Sequence, residues 1–293
     1  MEPDVTEPDR AGAVKLPDGR RLGWARWGPA DGTPVLFFSG AGMGRRLGFG
    51  ADALPALGAR LIAVDRPGLG ASDPAPGRTL DDWVRDIGGL AAALDLPAFR
   101  IAAFSQGAPF ALACAAAGVA EAVAVVSGQD DLRHPDLAGL LAPDVAGMLS
   151  AAEADPAGFE ASFSGVGPDL LRRLVVDMSS EADAAVYTAP AFSEAYARCL
   201  ADGFAQGAAG YARDLALGMA PWPFTPERIT VPVDLWYGGR DASPVHSPDH
   251  GATLARRIPA ARRRLLPEAG GALLWTHAGE ILSALLGSGP DTR

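Results

Sequence analysis

Hydrophobic and polar positions along the chain fall into two regimes. In the first, short, mainly apolar runs recur at residues 35–38, 61–64, 99–104, 120–126 and 231–237, with a shorter one inside 262–266. Runs of this length, bounded by Gly, Pro, Asp and Ser, predict strands buried on both faces of a parallel sheet. The segments between them carry helical patterns. Residues 79–94 predict an amphipathic helix, with Thr79 as N-cap and Asp81 and Asp82 in its positive first turn. Further helices are predicted at about 47–57, from the 105 region to about Ala117, at 250–257 and from the last strand to about Leu286. Ahead of these, residues 13–27 predict a hairpin, with Pro17-Asp18-Gly19-Arg20 as its turn and Leu22 and Trp24 alternating after it. The fold class is therefore α/β: a mostly parallel central sheet, an N-terminal antiparallel hairpin and helices on both faces.

The second regime runs from about Leu132 to Ala220. Strand patterns vanish there and apolar residues return at helical spacing, as in Leu137, Leu140 and Leu141, or Phe192, Tyr196 and Leu200. This predicts a helical insertion, residues 132–220, within a core made of 11–131 and 221–287. Residues 1–10 and 288–293 are expected to be a disordered N-terminus and a tail. Met148, Phe159, Phe163, Met178, Phe192 and Phe204 are expected mainly to pack the insertion, and Trp222 and Phe224 to mark its return hinge.

Composition narrows the function classes. The chain has 293 residues, 48% apolar and 20% charged, and a formal charge of -10. That balance argues against a nucleic-acid surface, and the short run Arg262-Arg263-Arg264 reads as a strand edge. No apolar run is long enough to span a membrane, and the acidic first ten residues lack the pattern of a signal peptide. Cys114 and Cys199 sit in apolar surroundings without metal or redox spacing, so buried free thiols in a reducing, cytoplasmic setting are expected. The expected partner is a small apolar substrate, with the chain a monomer or homodimer.

The candidate chemistry centres on Ile101-Ala102-Ala103-Phe104-Ser105-Gln106-Gly107-Ala108. A serine between small residues two before and two after suits a sharp strand-turn-helix elbow, which exposes its hydroxyl. Ala103 stands where the G-x-S-x-G pattern has glycine. Around this elbow lie, in order, Phe38-Ser39-Gly40-Ala41, then Val64-Asp65-Arg66-Pro67-Gly68-Leu69-Gly70-Ala71-Ser72. After the insertion come Tyr237-Gly238-Gly239-Arg240-Asp241 and Pro267-Glu268-Ala269-Gly270-Gly271. With these five elements in this order, the chain resembles the α/β-hydrolase superfamily of serine-nucleophile, helical-cap type over nearly its whole length. The resemblance implies Ser105 as nucleophile, Asp241 as triad acid and the N–H groups of Ala41 and Gln106 as oxyanion hole, with no cofactor and no metal. Asp130 and Asp131 occupy an alternative acid position. Gly40-Ala41-Gly42-Met43-Gly44, with Asp65 after the next strand, also approaches a dinucleotide fingerprint, but Arg45 stands where its third glycine belongs.

One member is missing. The resemblance places a histidine in the loop after the last strand, and this chain has Gly271 there. Four histidines exist. His277, six residues on, is expected within the closing helix. His246 follows Asp241 closely, His134 opens the insertion, and His250 is expected at the exposed start of a helix. The expectation is an incomplete Ser-His-Asp set, in which a histidine introduced at 271 would raise ester hydrolysis. The implied function is a serine-type hydrolase of a small or medium apolar ester, lactone or other acyl compound. The alternatives are a non-hydrolytic lyase, cyclase or isomerase on the same scaffold, and a catalytically silent ligand-binding protein.

Overall fold

The computed structural model describes residues 5–287; the expected tail at 288–293 and the first four residues lie outside them. The eight strands are β1 (Arg10–Lys15), β2 (Arg21–Trp27), β3 (Thr33–Phe38), β4 (Ala59–Val64), β5 (Arg100–Phe104), β6 (Val123–Val126), β7 (Val233–Gly238) and β8 (Ala261–Leu266). They form one sheet in the order β1-β2-β4-β3-β5-β6-β7-β8. The β1–β2 and β2–β4 pairs are antiparallel and the others parallel. This is the predicted architecture, hairpin included.

Alternation along the strands divides the core in two, because successive side chains in a strand point to opposite faces. Val35, Phe37, Leu61, Ala63, Ala102, Phe104, Ala124 and Val126 pack on one face, with the insertion and the C-terminal helices. Leu36, Phe38, Ile62, Val64, Ile101, Ala103, Val123 and Val125 pack on the other, against α1 (Leu80–Ala93) and α2 (Ala108–Ala116). Each central strand is buried on both sides, which is why its sequence reads as an unbroken apolar run.

The start of α1 follows its sequence closely. Thr79 Oγ1 accepts from Asp82 N–H, and Asp82 reaches back to the Thr79 N–H at 2.8 Å, a reciprocal capping box. The segment 47–57 differs from expectation and forms successive turns. Gly48 packs against the Trp27 ring, Gly50 has φ +61° and Pro55 has no N–H to donate, so a continuous helical ladder fails there. The closing helix is broken into α10 (Leu273–Thr276) and α11 (Ala278–Leu285), with His277 at the junction.

Between β6 and β7 run α3 (Pro143–Ala154), α4 (Pro156–Ser162), α5 (Pro168–Asp177), α6 (Glu181–Thr188), α7 (Pro190–Gly203) and α8 (Ala209–Met219). Before β8 comes α9 (Ala252–Arg257). The helices α3 to α8 lie over the carboxyl ends of the strands and contribute to one wall of a cavity there. Among the described residues no helix is long and apolar enough to cross a membrane.

Candidate active site

Ser105 follows directly on β5 and has φ +51°, a left-handed conformation that costs a non-glycine residue roughly 1–2 kcal/mol. Such strain persists only where the surroundings over-determine it. Here β5 is paired on both sides, Ser105 C=O accepts from Gln129 N–H at 3.0 Å, and α2 begins three residues later. A Cβ at Gly107 would lie 2.2 Å from Phe38 O, so only glycine lets the turn pass the end of β3. The glycine read from sequence two residues after Ser105 is thus required by backbone proximity.

His246 supplies the missing link. Its Nε2 lies 2.8 Å from Ser105 Oγ and its Nδ1 2.7 Å from Asp241 Oδ2. The expected incomplete set is therefore corrected: Ser105, His246 and Asp241 form a continuous hydrogen-bonded chain, with the imidazole drawn from the loop after β7. The other candidates lie apart. His277 Nδ1 bonds the neighbouring Thr276 Oγ1 at 2.9 Å, and His134 Nδ1 accepts from Asp136 N–H at the start of a short turn. His250 adopts φ +53°, and its carbonyl accepts from Arg263 Nε.

The loop carrying His246 is anchored on both sides of it. Asp241 Oδ1 accepts from Ser243 N–H at 3.0 Å. Beyond His246, Ser247 N–H donates to Gly128 O, and Ser247 Oγ donates to Asp130 Oδ2 at 2.6 Å. Burial pushes the Asp241 carboxyl up, but the facing His246 and the Ser243 N–H outweigh it and hold the group below its ordinary value. Burial dominates at Asp130, which Ser247 and the Asp131 N–H only partly offset, and its pKa is pushed up to about 6. Asp130 thus braces the loop without touching His246, and Asp131 pairs with Arg257.

The two glycines after β8 explain the absence of histidine there. A Cβ at Gly271 would stand 2.7 Å from Asp241 Oδ1, and one at Gly270 would stand 2.2 Å from Asp183 Oδ1. Asp183, from α6, accepts from the N–H groups of Gly271 at 2.8 Å and Ala272 at 2.7 Å. The loop is thus enclosed between two carboxylates, one from the core and one from the insertion.

Ala41 and Gln106, expected as donors to an oxyanion, border the same cavity as Ser105. The Ala41 N–H has no acceptor among the described residues. Its orientation follows from Arg66, whose guanidinium donates to Ser39 O at 2.6 Å and Gly40 O at 2.9 Å. In a trans peptide the N–H opposes the C=O, so holding Gly40 O turns the Ala41 N–H the other way. Arg66 is fully buried and is neutralised by Asp214 at 2.6 Å, which also pairs with Arg78. Asp65 fits no nucleotide role: it is buried, accepts from Arg45 N–H at 2.6 Å, and pairs with the Arg45 guanidinium at 2.7 Å.

The cavity above Ser105 has a volume of about 290 Å³. Its walls are mainly apolar, including Met43, Phe104, Met148, Phe163, Leu171 and Val245. Among the described residues no three His, Cys, Asp or Glu side chains gather as a metal site. Sequence reasoning missed Asp183 and Arg66 as parts of the site. Asp183 sits in an ordinary helical segment, but Arg66, two residues past a strand and followed by Pro-Gly, carried a usable signal.

Comparison with known proteins agrees with this construction. The Alpha/beta hydrolase family matches residues 35–284. A non-heme chloroperoxidase from Streptomyces lividans is 37% identical over 92 residues, 29% of this chain and 32% of that protein, so the match spans about a third of the relative's length. A thermophilic esterase from Thermogutta terrifontis superposes with TM-score 0.68 at 20% identity, covering 94% of this chain and 96% of the esterase. The enol-lactonase from Burkholderia xenovorans LB400 gives TM-score 0.68 at 19% identity, covering 94% and 99%. At such identities the two structures speak for the fold. Together with a family match over most of its length, they establish that this chain belongs to the alpha/beta hydrolase family.

Proposed function

We propose that the protein is a serine-type hydrolase of a small or medium ester, lactone or related acyl compound. The observation that carries this reading is His246, hydrogen-bonded at once to Ser105 Oγ and Asp241. With Asp241 ionised, Nδ1 holds the proton and Nε2 is free to accept the Ser105 proton as Oγ attacks the acyl carbon. Charge then develops on the carbonyl oxygen, where the N–H groups of Ala41 and Gln106 stabilise it; losing one such donor typically costs about 3 kcal/mol of barrier. His246 returns the proton to the leaving oxygen. It next takes a proton from the water that cleaves the acyl-Ser105 ester. Each step uses only this chain's own groups and water. The helices α3 to α8 act as a cap, excluding bulk solvent and shaping the acyl pocket.

A fluorophosphonate probe read by intact mass tests the proposal. Wild-type protein is expected to gain one adduct, and Ser105→Ala and His246→Ala none. Labelling that survives in Ser105→Ala, or a wild type that stays unlabelled, would overturn the reading.

A further inference from the structure

Three tyrosines stand out in the cavity wall. Tyr187 on α6, Tyr196 on α7 and Tyr211 on α8 are 7%, 4% and 7% exposed, and all three border the cavity above Ser105. Their rings are well packed: Tyr187 lies 5.2 Å from Tyr196 and 6.3 Å from Trp275, and Tyr211 lies 5.4 Å from Phe204. Their hydroxyls differ from the rings, since none has a hydrogen-bond partner among the described residues. Among the described residues, the fully enclosed side-chain atoms without a partner lie elsewhere, on Trp and Arg nitrogens, Ser127 and Asp234. The three tyrosine hydroxyls are therefore unpaired and not fully enclosed, on side chains that line the cavity. Buried phenols ordinarily find a partner, so three in one apolar wall mark a place where a ligand supplies it.

The charges restrict that ligand. Burial pushes Tyr187 up, aided by Tyr196 and the Asp183 and Asp241 carboxylates; burial pushes Tyr196 up, aided by Cys199 and Tyr211 against the opposing Arg172; and burial pushes Tyr211 up to about 12, so all three remain neutral donors. The ionisable groups on the wall are His246 and the acids Asp144, Asp183 and Asp241, with no Lys or Arg among them. An anionic substrate would be repelled. Asp183 and Asp241 are already satisfied by backbone and His246 donors, so neither calls for a cationic one.

We infer that Tyr187, Tyr196 and Tyr211 form a polar subsite for an uncharged substrate that carries an oxygen acceptor, a ketone or ether, away from its scissile acyl bond. This deepens the proposed function and rests on Ser105 being the reacting centre of the same cavity. A plain aliphatic ester would bury the three hydroxyls against methylenes and leave them unpaired. A site built around hydrogen bonds discriminates strongly against a ligand that lacks them.

The test compares p-nitrophenyl 5-oxohexanoate with p-nitrophenyl hexanoate, which differ by one carbonyl in the acyl chain. Wild-type kcat/KM is expected to favour the oxo ester by roughly tenfold, about the worth of one or two neutral hydrogen bonds. In the Tyr187→Phe/Tyr196→Phe/Tyr211→Phe variant the ratio should fall to near one. Because Phe keeps each ring, the single variants offer a second measure, each expected to reduce the preference by about twofold. The same ratio is read as Kd in Ser105→Ala protein, from quenching of Trp275 beside Tyr187, without turnover. Absence of preference in both kcat/KM and Kd overturns the subsite, as does a preference that persists in the triple variant. A Kd preference without any wild-type turnover would instead overturn the serine-hydrolase reading and support the subsite alone.

Discussion

Replacing Gly271 by histidine restores the residue that family resemblance places after the last strand, and sequence reasoning alone expects hydrolysis to rise. The structure reverses that expectation. Any side chain at 271 puts its Cβ 2.7 Å from Asp241 Oδ1, where ordinary contact begins near 3.4 Å. The carboxylate is not free to yield, being buried and held by His246 at 2.7 Å and Ser243 N–H at 3.0 Å. Opening about 0.7 Å of room would stretch the Asp241–His246 bond beyond the usual range of about 2.7–3.2 Å. Overpacking of this kind costs about 1–3 kcal/mol of stability. Loss of the acid's grip on its imidazole costs up to about 10⁴-fold in kcat. Both Gly271→Ala and Gly271→His should therefore lower p-nitrophenyl ester turnover at least tenfold, with KM little changed, while near-ultraviolet circular dichroism reports retained packing. Gly271→Ala separates steric displacement from any effect of a second imidazole. A Gly271→His enzyme as fast as wild type, or faster, would refute the argument that Asp241 already fills that space.

The remaining predictions concern the neighbouring groups. His246→Ala should reduce kcat by about 10⁴-fold or more and His277→Ala by less than twofold, measured on one chromogenic ester. Asp130 has its folded pKa raised to about 6 by burial, so the fold favours its protonated form. The resulting stabilisation is fully present below the ordinary value near 3.8 and is lost as pH rises through 6, on the order of 3 kcal/mol in all. Urea midpoints of wild type should fall between pH 4.5 and 7.5 relative to Asp130→Asn; parallel curves would contradict this. Asp214→Ala strands the buried Arg66 and Arg78 guanidiniums and should cost about 3–5 kcal/mol in urea unfolding. Asp183→Ala removes the acceptor of two N–H groups at the start of α10. It should lower Tm measurably, whereas Glu181→Ala, at the start of α6 like Asp183, should shift it by less than half as much.

Much of the fold was legible because burial on both faces leaves a plain mark. The strands from β3 to β7 sit inside the sheet, and their runs of Val, Leu, Ile, Phe and Ala admit few other readings. The edge strand β8 was legible for a different reason: a charged run followed by Leu265 and Leu266 suits a strand that is only partly covered and pairs with β7 on one side. Residues 47–57 misled because Leu47, Leu54 and Leu57 fall at helical spacing. Spacing does not register the Trp27 ring against Gly48, a tertiary contact that decides the backbone there.

The site divides along the same line between local and non-local causes. Ser105, Ala41 and Gln106 were identifiable because their proposed roles depend on turns encoded within a few residues of each. The position of His246 depends instead on a distant strand end, since the loop reaches Ser105 only when Ser247 is tied to Gly128 and Asp130 after β6. Yet one local clue existed. Four residues separate Asp241 from His246, and Ser243 and Pro244 among them favour a turn rather than a strand. A turn that starts and ends at the same sheet edge brings an acid and an imidazole back within reach of each other. With His246 already bonded to Asp241, the loop after β8 no longer needs an imidazole. It serves another contact, in which Gly270 and Gly271 let the Asp183 carboxylate of the insertion approach the backbone. The glycine that read as a gap is thus required by the arrangement that fills it: moving the imidazole to the acid's own loop leaves Asp241 and Asp183 facing each other across a strip of backbone, and only glycine fits there.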